Sequence, residues 1–116
     1  EQQALAAAGD HAGLFRADEG FHAIVLSLTG FPGARAAAEA VSAPLRRARM
    51  LLFPEPGRAE ETVREHAAVL KALRARDPAA ARAAMKAHLG QLIRRIEPLE
   101  RAHPHLFRDP AEGETR

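Results

Sequence analysis

The chain has 116 residues, room for one domain with a modest core, and no Cys, which excludes disulfides and thiolate metal sites. Its 17 basic and 15 acidic residues leave a formal charge of +2 and a pI near 9.9, too small an excess to make a nucleic-acid surface. No Trp or Tyr and only 5 Phe exclude a stacking platform for single strands; no apolar run reaches membrane-span length and no secretory signal is visible, so a cytoplasmic protein without membrane contact is expected.

Ala, Leu, Arg and Glu dominate and alternating β-branched runs are absent, which predicts an all-α domain. Residues 1–8 read as the end of a helix, and Gly9-Asp10-His11-Ala12-Gly13 reads as a linker. A second helix is expected from about Phe15 to Thr29, stopped by Gly30. Pro32 suits the first turn of a third helix that continues to about Leu52, kinked at Pro44. Phe53-Pro54-Glu55-Pro56-Gly57 is a loop by composition. A fourth helix follows from about Glu60 to Arg76, where Glu60, Glu61, Arg64 and Glu65 mix charges as a solvated face does. Asp77-Pro78 joins a good N-cap to a first-turn proline, so a fifth helix starts at once and reaches Ile96 or a little further. Pro98, Pro104 and Pro110 are expected to break up the rest, and residues 108–116 form a polar tail, expected to be disordered.

Four ionisable residues stand out by position. Asp18 and His22 lie four apart, one turn apart on one helix face, where a carboxylate and an imidazole can share a metal ion; by itself such a pair is most often a surface pair. His66 falls on a stripe with Val63, Leu70 and Leu73, and His88 on one with Met85, Leu92 and Ile96, so both rings should face the core. A lone histidine on such a stripe is usually a satisfied core residue. Here, however, His66 lies 11 residues before Asp77 and His88 lies 11 after it. In an antiparallel pair, equal distances from a tight turn put both at one level, about 16 Å from the turn. Two unpaired imidazoles buried together would cost several kcal/mol without a partner, on the order expected for buried polar groups. With Asp18 and His22 the set becomes three imidazoles and one carboxylate, which suits Zn, Ni, Mn, Co or Fe and is too rich in nitrogen for Ca or Mg. An octahedral ion would keep two positions for water or a chelating effector.

His11, His103 and His105 sit in Gly- or Pro-flanked segments and are weak ligand candidates. Arg47 and Arg49, two apart, cannot both face the core; one of them could enter a polar cavity and meet a carboxylate.

These residues form a recognisable pattern. Asp18-Glu19-Gly20-Phe21-His22 resembles the D-x-x-F-H signature of the FadR C-terminal domain (FCD) subgroup of GntR-type transcription regulators. Glu65-His66, Leu70-Lys71-Ala72, Asp77, Ala81, Met85 and His88-Leu89 resemble that family's E-H…H-L run, and the likeness spans roughly Phe15 to Leu92. The resemblance implies an antiparallel bundle of the FCD type, with about five of the usual six or seven helices present. It implies a central metal held by Asp18, His22, His66 and His88, and a small organic acid bound beside it. It further implies a homodimer whose operator DNA is bound by an N-terminal winged helix-turn-helix outside this chain. Residues 1–107 would then be an effector- and metal-binding domain that lacks its first helices. Where many members have Gly-Asn after the second helix, this chain has Gly30-Phe31-Pro32, which leaves the effector's identity open.

Three functions follow for comparison. The leading one is a sensor whose metal-anchored pocket recognises a small carboxylate, with Arg47 or Arg49 as its partner, and biases a DNA-binding domain. A metal-dependent hydrolytic enzyme is the second, although no separate general base or nucleophile is placed beside the set. A helical bundle with a purely structural metal is the third.

Overall fold

Start and stop signals divide this chain more finely than its composition suggests. The computed structural model describes residues 1–40 and 42–107. Within them lie α1 (Gln2–Ala8), α2 (His11–Ser27), α3 (Pro32–Ala40), α4 (Ser42–Leu52), α5 (Arg58–Arg74), α6 (Pro78–Ala102) and a 3-10 turn at Pro104–Leu106. Among the described residues there is no strand, and the expected all-α bundle is what forms. The expected break at Pro110 and the polar tail of residues 108–116 lie outside the described residues.

The expected linker between the first two helices is a tight corner. Gly9 takes the left-handed conformation at φ 70°, its N–H donates to the Ala6 carbonyl at 3.1 Å, and the Asp10 N–H donates to the Leu5 carbonyl at 3.0 Å. The Asp10 carboxylate then accepts from the Gly13 N–H at 2.8 Å, so α2 starts at His11, four residues before the expected Phe15. Gly13 is buried in that first turn because a Cβ would press on the Asp10 and Leu5 side chains. Close approach, not flexibility, explains this glycine.

Two proline expectations are corrected. The single kinked third helix is two helices, α3 and α4, and α4 begins at Ser42, so Pro44 falls in its first turn. A proline there lacks only an N–H that has no helical partner, whereas mid-helix it costs about 3 kcal/mol. Pro98, by contrast, does not end α6. Leu92 before it and Leu99 after it are both buried against Ala48 and Leu52 of α4, which holds the helix together across the missing hydrogen bond. Pro98 itself lies on the exposed side, where water can reach the carbonyl left without a donor.

A second core cluster joins the other end of the bundle. Ala6 of α1, Leu14 of α2, Phe53 just after α4 and Ala59 of α5 are buried together, with Leu5, Phe15 and Val63 packed against them. Between Arg74 and Pro78 the Asp77 carboxylate accepts from the Ala80 N–H at 3.0 Å, which caps α6 and turns the chain sharply. Glu61 of α5 meets Arg95 of α6, while His66 meets His88, so position numbers rise on one helix as they fall on the other. The two helices are therefore antiparallel.

The buried face of α5 differs from its expected stripe. Ala59, Thr62, His66, Val69 and Ala72 are buried, whereas Leu70 and Leu73 remain 40% and 38% exposed. The three-residue step from His66 through Val69 to Ala72 sets the inward line, and the two leucines flank it. On α6 the expected line holds: His88 and Leu92 are buried, with Met85 and Ile96 half-buried, and Leu99 extends the buried line beyond it.

Candidate metal centre

Three helices bring four side chains to one point. Asp18 and His22 project from α2 one turn apart, His66 from α5 and His88 from α6. Asp18, His66 and His88 are buried, and His22 keeps 25% side-chain exposure at the rim. One donor atom from each lies within 4.8 Å of all the others. The Asp18 Oδ1 stands 3.4 Å from His22 Nε2 and 3.1 Å from His66 Nε2. His88 Nε2 stands 3.2 Å from His66 Nε2 and 3.4 Å from His22 Nε2. Ligands each about 2.0–2.2 Å from one ion would be separated by roughly 3–4.4 Å, and these four separations fall in that range.

The outward ring nitrogens make the chemistry more specific. Gln2 of α1 donates from Nε2 to the Ala17 carbonyl at 3.1 Å, which leaves its Oε1 turned to His66 Nδ1 at 2.7 Å. An amide oxygen only accepts, so His66 carries its proton on Nδ1. Glu65 is held by Arg58 at 2.9 Å and stands 2.7 Å from His88 Nδ1, and a carboxylate likewise accepts the Nδ1–H. In the neutral rings both Nε2 lone pairs then face each other across 3.2 Å. Two lone pairs cannot hydrogen-bond one another. A cation between them resolves the conflict, so the residues present fit a metal ion. Phe21 lies flat on the His66 ring, with centroids 4.1 Å apart and planes at 11°, and fixes that ring's tilt.

Charge is balanced on the other side. Arg49 of α4 pairs with Asp18 through Oδ2, leaving Oδ1 for the histidines. Burial alone opposes the Asp18 charge, but the His22 and His66 rings beside its Oδ1 and the Arg49 guanidinium at Oδ2 hold its carboxyl far below the usual carboxylate range. Burial pushes the His88 ring down, the Glu65 hydrogen bond opposes this, and His66 and His22 add to the fall. The set therefore stays in its metal-binding protonation states, an anionic carboxylate with neutral imidazole at His88.

Beside the four lies a cavity of about 640 Å³, reached by Asp18, His22, His88, Arg46, Arg49 and Arg58, with Val25, Leu26, Leu45, Leu52, Leu89 and Leu92 on its apolar side. Of the two arginines singled out from the sequence, Arg49 enters this cavity; Arg47 is exposed and outside its lining. Arg46, which sequence reasoning passed over, lines it and pairs with Glu19 at 2.6 Å. His11 begins α2, and His103 and His105 face one another at the end of α6; none joins the group. Gln2 and the Arg58–Glu65 pair were also missed. Glu65 at least stands next to His66 in the sequence, whereas one of two Gln in an Ala-rich helix carries no signal.

Among the described residues, no helix is long and apolar enough to cross a membrane. Comparison with curated proteins finds no match, and neither does comparison with solved structures. Comparison with known families does: the FCD domain matches residues 1–91. That span begins with α1 and takes in all four converging side chains, extending the likeness read from the motifs back to residue 1. By a match over most of its length, this chain belongs to the FCD domain family.

Proposed function

We propose that this domain senses a small carboxylate through one divalent transition ion, Zn, Ni, Mn, Co or Fe, held by Asp18, His22, His66 and His88. The observation that carries this reading is the meeting of Asp18 Oδ1 with three Nε2 atoms, where Asp18, His22 and His88 also line a cavity of about 640 Å³. Such an ion would supply a Lewis-acidic anchor for an effector oxygen. The chain's own residues do the rest. Asp18 compensates part of the ion's charge while the imidazoles offer it their Nε2 lone pairs, Arg49 orients the Asp18 carboxylate, and the apolar wall excludes water from the effector's body. Arg49, with Arg46 in the place expected for Arg47, offers guanidinium to the effector's carboxylate, in exchange for the present pairing with Glu19. Family membership supports a ligand-sensing domain of a transcription regulator over a catalytic one. The operator-binding winged helix-turn-helix would lie outside this chain, in a cytoplasmic homodimer.

The test is a panel of short monocarboxylates, hydroxy acids and dicarboxylates, titrated against metal-loaded and chelator-treated protein while thermal unfolding is followed. An effector at 100 times its Kd should stabilise by about 2.7 kcal/mol, roughly 10 °C for a domain this size, only when metal is present. A panel with no metal-dependent effect would leave a structural ion as the better reading.

A further inference from the structure

The first helix touches the centre through one side chain. Gln2, the first residue of α1, uses both ends of its amide: Nε2 donates to Ala17 of α2 at 3.1 Å, and Oε1 accepts from His66 Nδ1 of α5 at 2.7 Å. The rest of α1 is held by Leu5 and Ala6 in the cluster of Leu14, Phe53 and Ala59. These contacts dock α1 against α2 and α5.

We infer that Gln2 is a positioning residue that couples docking of α1 to occupation of the metal site; this rests on the metal reading above. The coupling runs through the His66 ring. While Gln2 accepts from Nδ1, the proton cannot sit on Nε2, and the Nε2 lone pair is directed to Asp18 and His88. When α1 departs, Nδ1 loses its acceptor and the ring is free to move its proton to Nε2, where Asp18 Oδ1 at 3.1 Å accepts it. That tautomer cannot bind an ion. Docked α1 therefore favours the metal-binding form of His66, and by reciprocity an ion on Nε2 favours docked α1. His88 is different: its acceptor, Glu65, lies on α5 itself and is held by Arg58 of the same helix, so its tautomer does not depend on α1. The two histidines are thus set by independent means, and only His66 depends on the docking of α1.

The experiment uses the whole chain with Co(II) as probe, its affinity read by chelator competition and its ligand field by visible absorption, beside amide hydrogen exchange of α1. Gln2→Ala is expected to weaken Co(II) binding by about 10- to 100-fold, the usual effect of removing an outer partner of a metal-bound histidine. Gln2→Glu keeps the acceptor for Nδ1–H, loses only the donor to Ala17, and should recover most of that affinity. Co(II) should slow exchange of the α1 amides in the parent chain, and much less so in Gln2→Ala. Long-range proton–nitrogen spectra of the metal-free chains should show the Nδ1–H form of His66 in the parent and its loss in Gln2→Ala. Equal affinities, or α1 exchange that ignores Co(II), would overturn the coupling while leaving the metal site intact. A parent chain that takes up no Co(II) would overturn both.

Discussion

Replacing Arg49 by Met removes the positive charge that compensates Asp18 and keeps most of the side chain's bulk. Asp18 is 1% exposed, and its Oδ2 has Arg49 as partner. The arginine stem and head also pack by Phe15, with the guanidinium carbon 5.4 Å from the ring centre, and Met preserves the apolar part of that contact. Breaking a fully buried ion pair on one side costs about 3–5 kcal/mol. Arg49 keeps 16% exposure and the Asp18 Oδ1 still faces His22 and His66, so a loss at or just below that range applies, about 2–3 kcal/mol. For a domain of this size that is a fall in Tm of roughly 10 °C in the presence of a chelator. With Zn bound, the ion itself balances the carboxylate, and the loss should shrink to about 1 kcal/mol or less. The difference must reappear as tighter Zn binding by the variant, about tenfold for each 1.4 kcal/mol. Urea and thermal unfolding with chelator and with Zn measure both arms. A metal-free variant within about 0.5 kcal/mol of its parent, the range of an ordinary surface change, would refute the reasoning, as would an equal loss with and without Zn.

Two further outcomes follow from the same geometry. Leu14 is fully buried where α1, α2 and α5 meet, so Leu14→Ala should cost about 2–5 kcal/mol in urea unfolding, and a loss under 1 kcal/mol would mean that this junction is not packed as described. Stability of the metal-free chain should fall as pH falls. The His88 ring, lowered by burial and by His66 and His22 against the pull of Glu65, takes up a proton less readily folded than unfolded, so its contribution is complete above the unfolded value near 6.5 and lost below it. The Asp18 carboxyl, also held low, adds a loss of the same sign below about pH 4. Denaturation midpoints at several pH values check this; a midpoint that rises toward pH 5 contradicts it.

The juxtaposition of the four candidate ligands was readable because it depends on two simple regularities. Helical periodicity puts Asp18 and His22 on one face, and a capped turn at Asp77 sets the heights of His66 and His88 on an antiparallel pair. What surrounds them was less readable. Gln2 reaches His66 across 64 positions, a contact that no local pattern encodes. The choice between Arg47 and Arg49 was in principle present in the stripe of Leu45, Ala48 and Leu52, which Arg49 shares, but reading α3 and α4 as one helix blurred its phase. Pro98 misled for a different reason: tertiary packing of Leu92 and Leu99 outweighs a local penalty of about 3 kcal/mol. The overlap of corner and cap at Gly9 and Asp10 was mistaken for a linker because turn residues mark both.

The measurement closest to the central claim is elemental analysis by mass spectrometry of the purified chain, beside a His66→Ala, His88→Ala double variant. The account predicts about one equivalent of a transition metal per parent chain, in line with a single four-ligand site, and its loss in the variant. A parent chain that is folded yet metal-free, and that takes up no added Zn, Ni or Mn, would contradict it, and His22, His66 and His88 would then be ordinary core histidines.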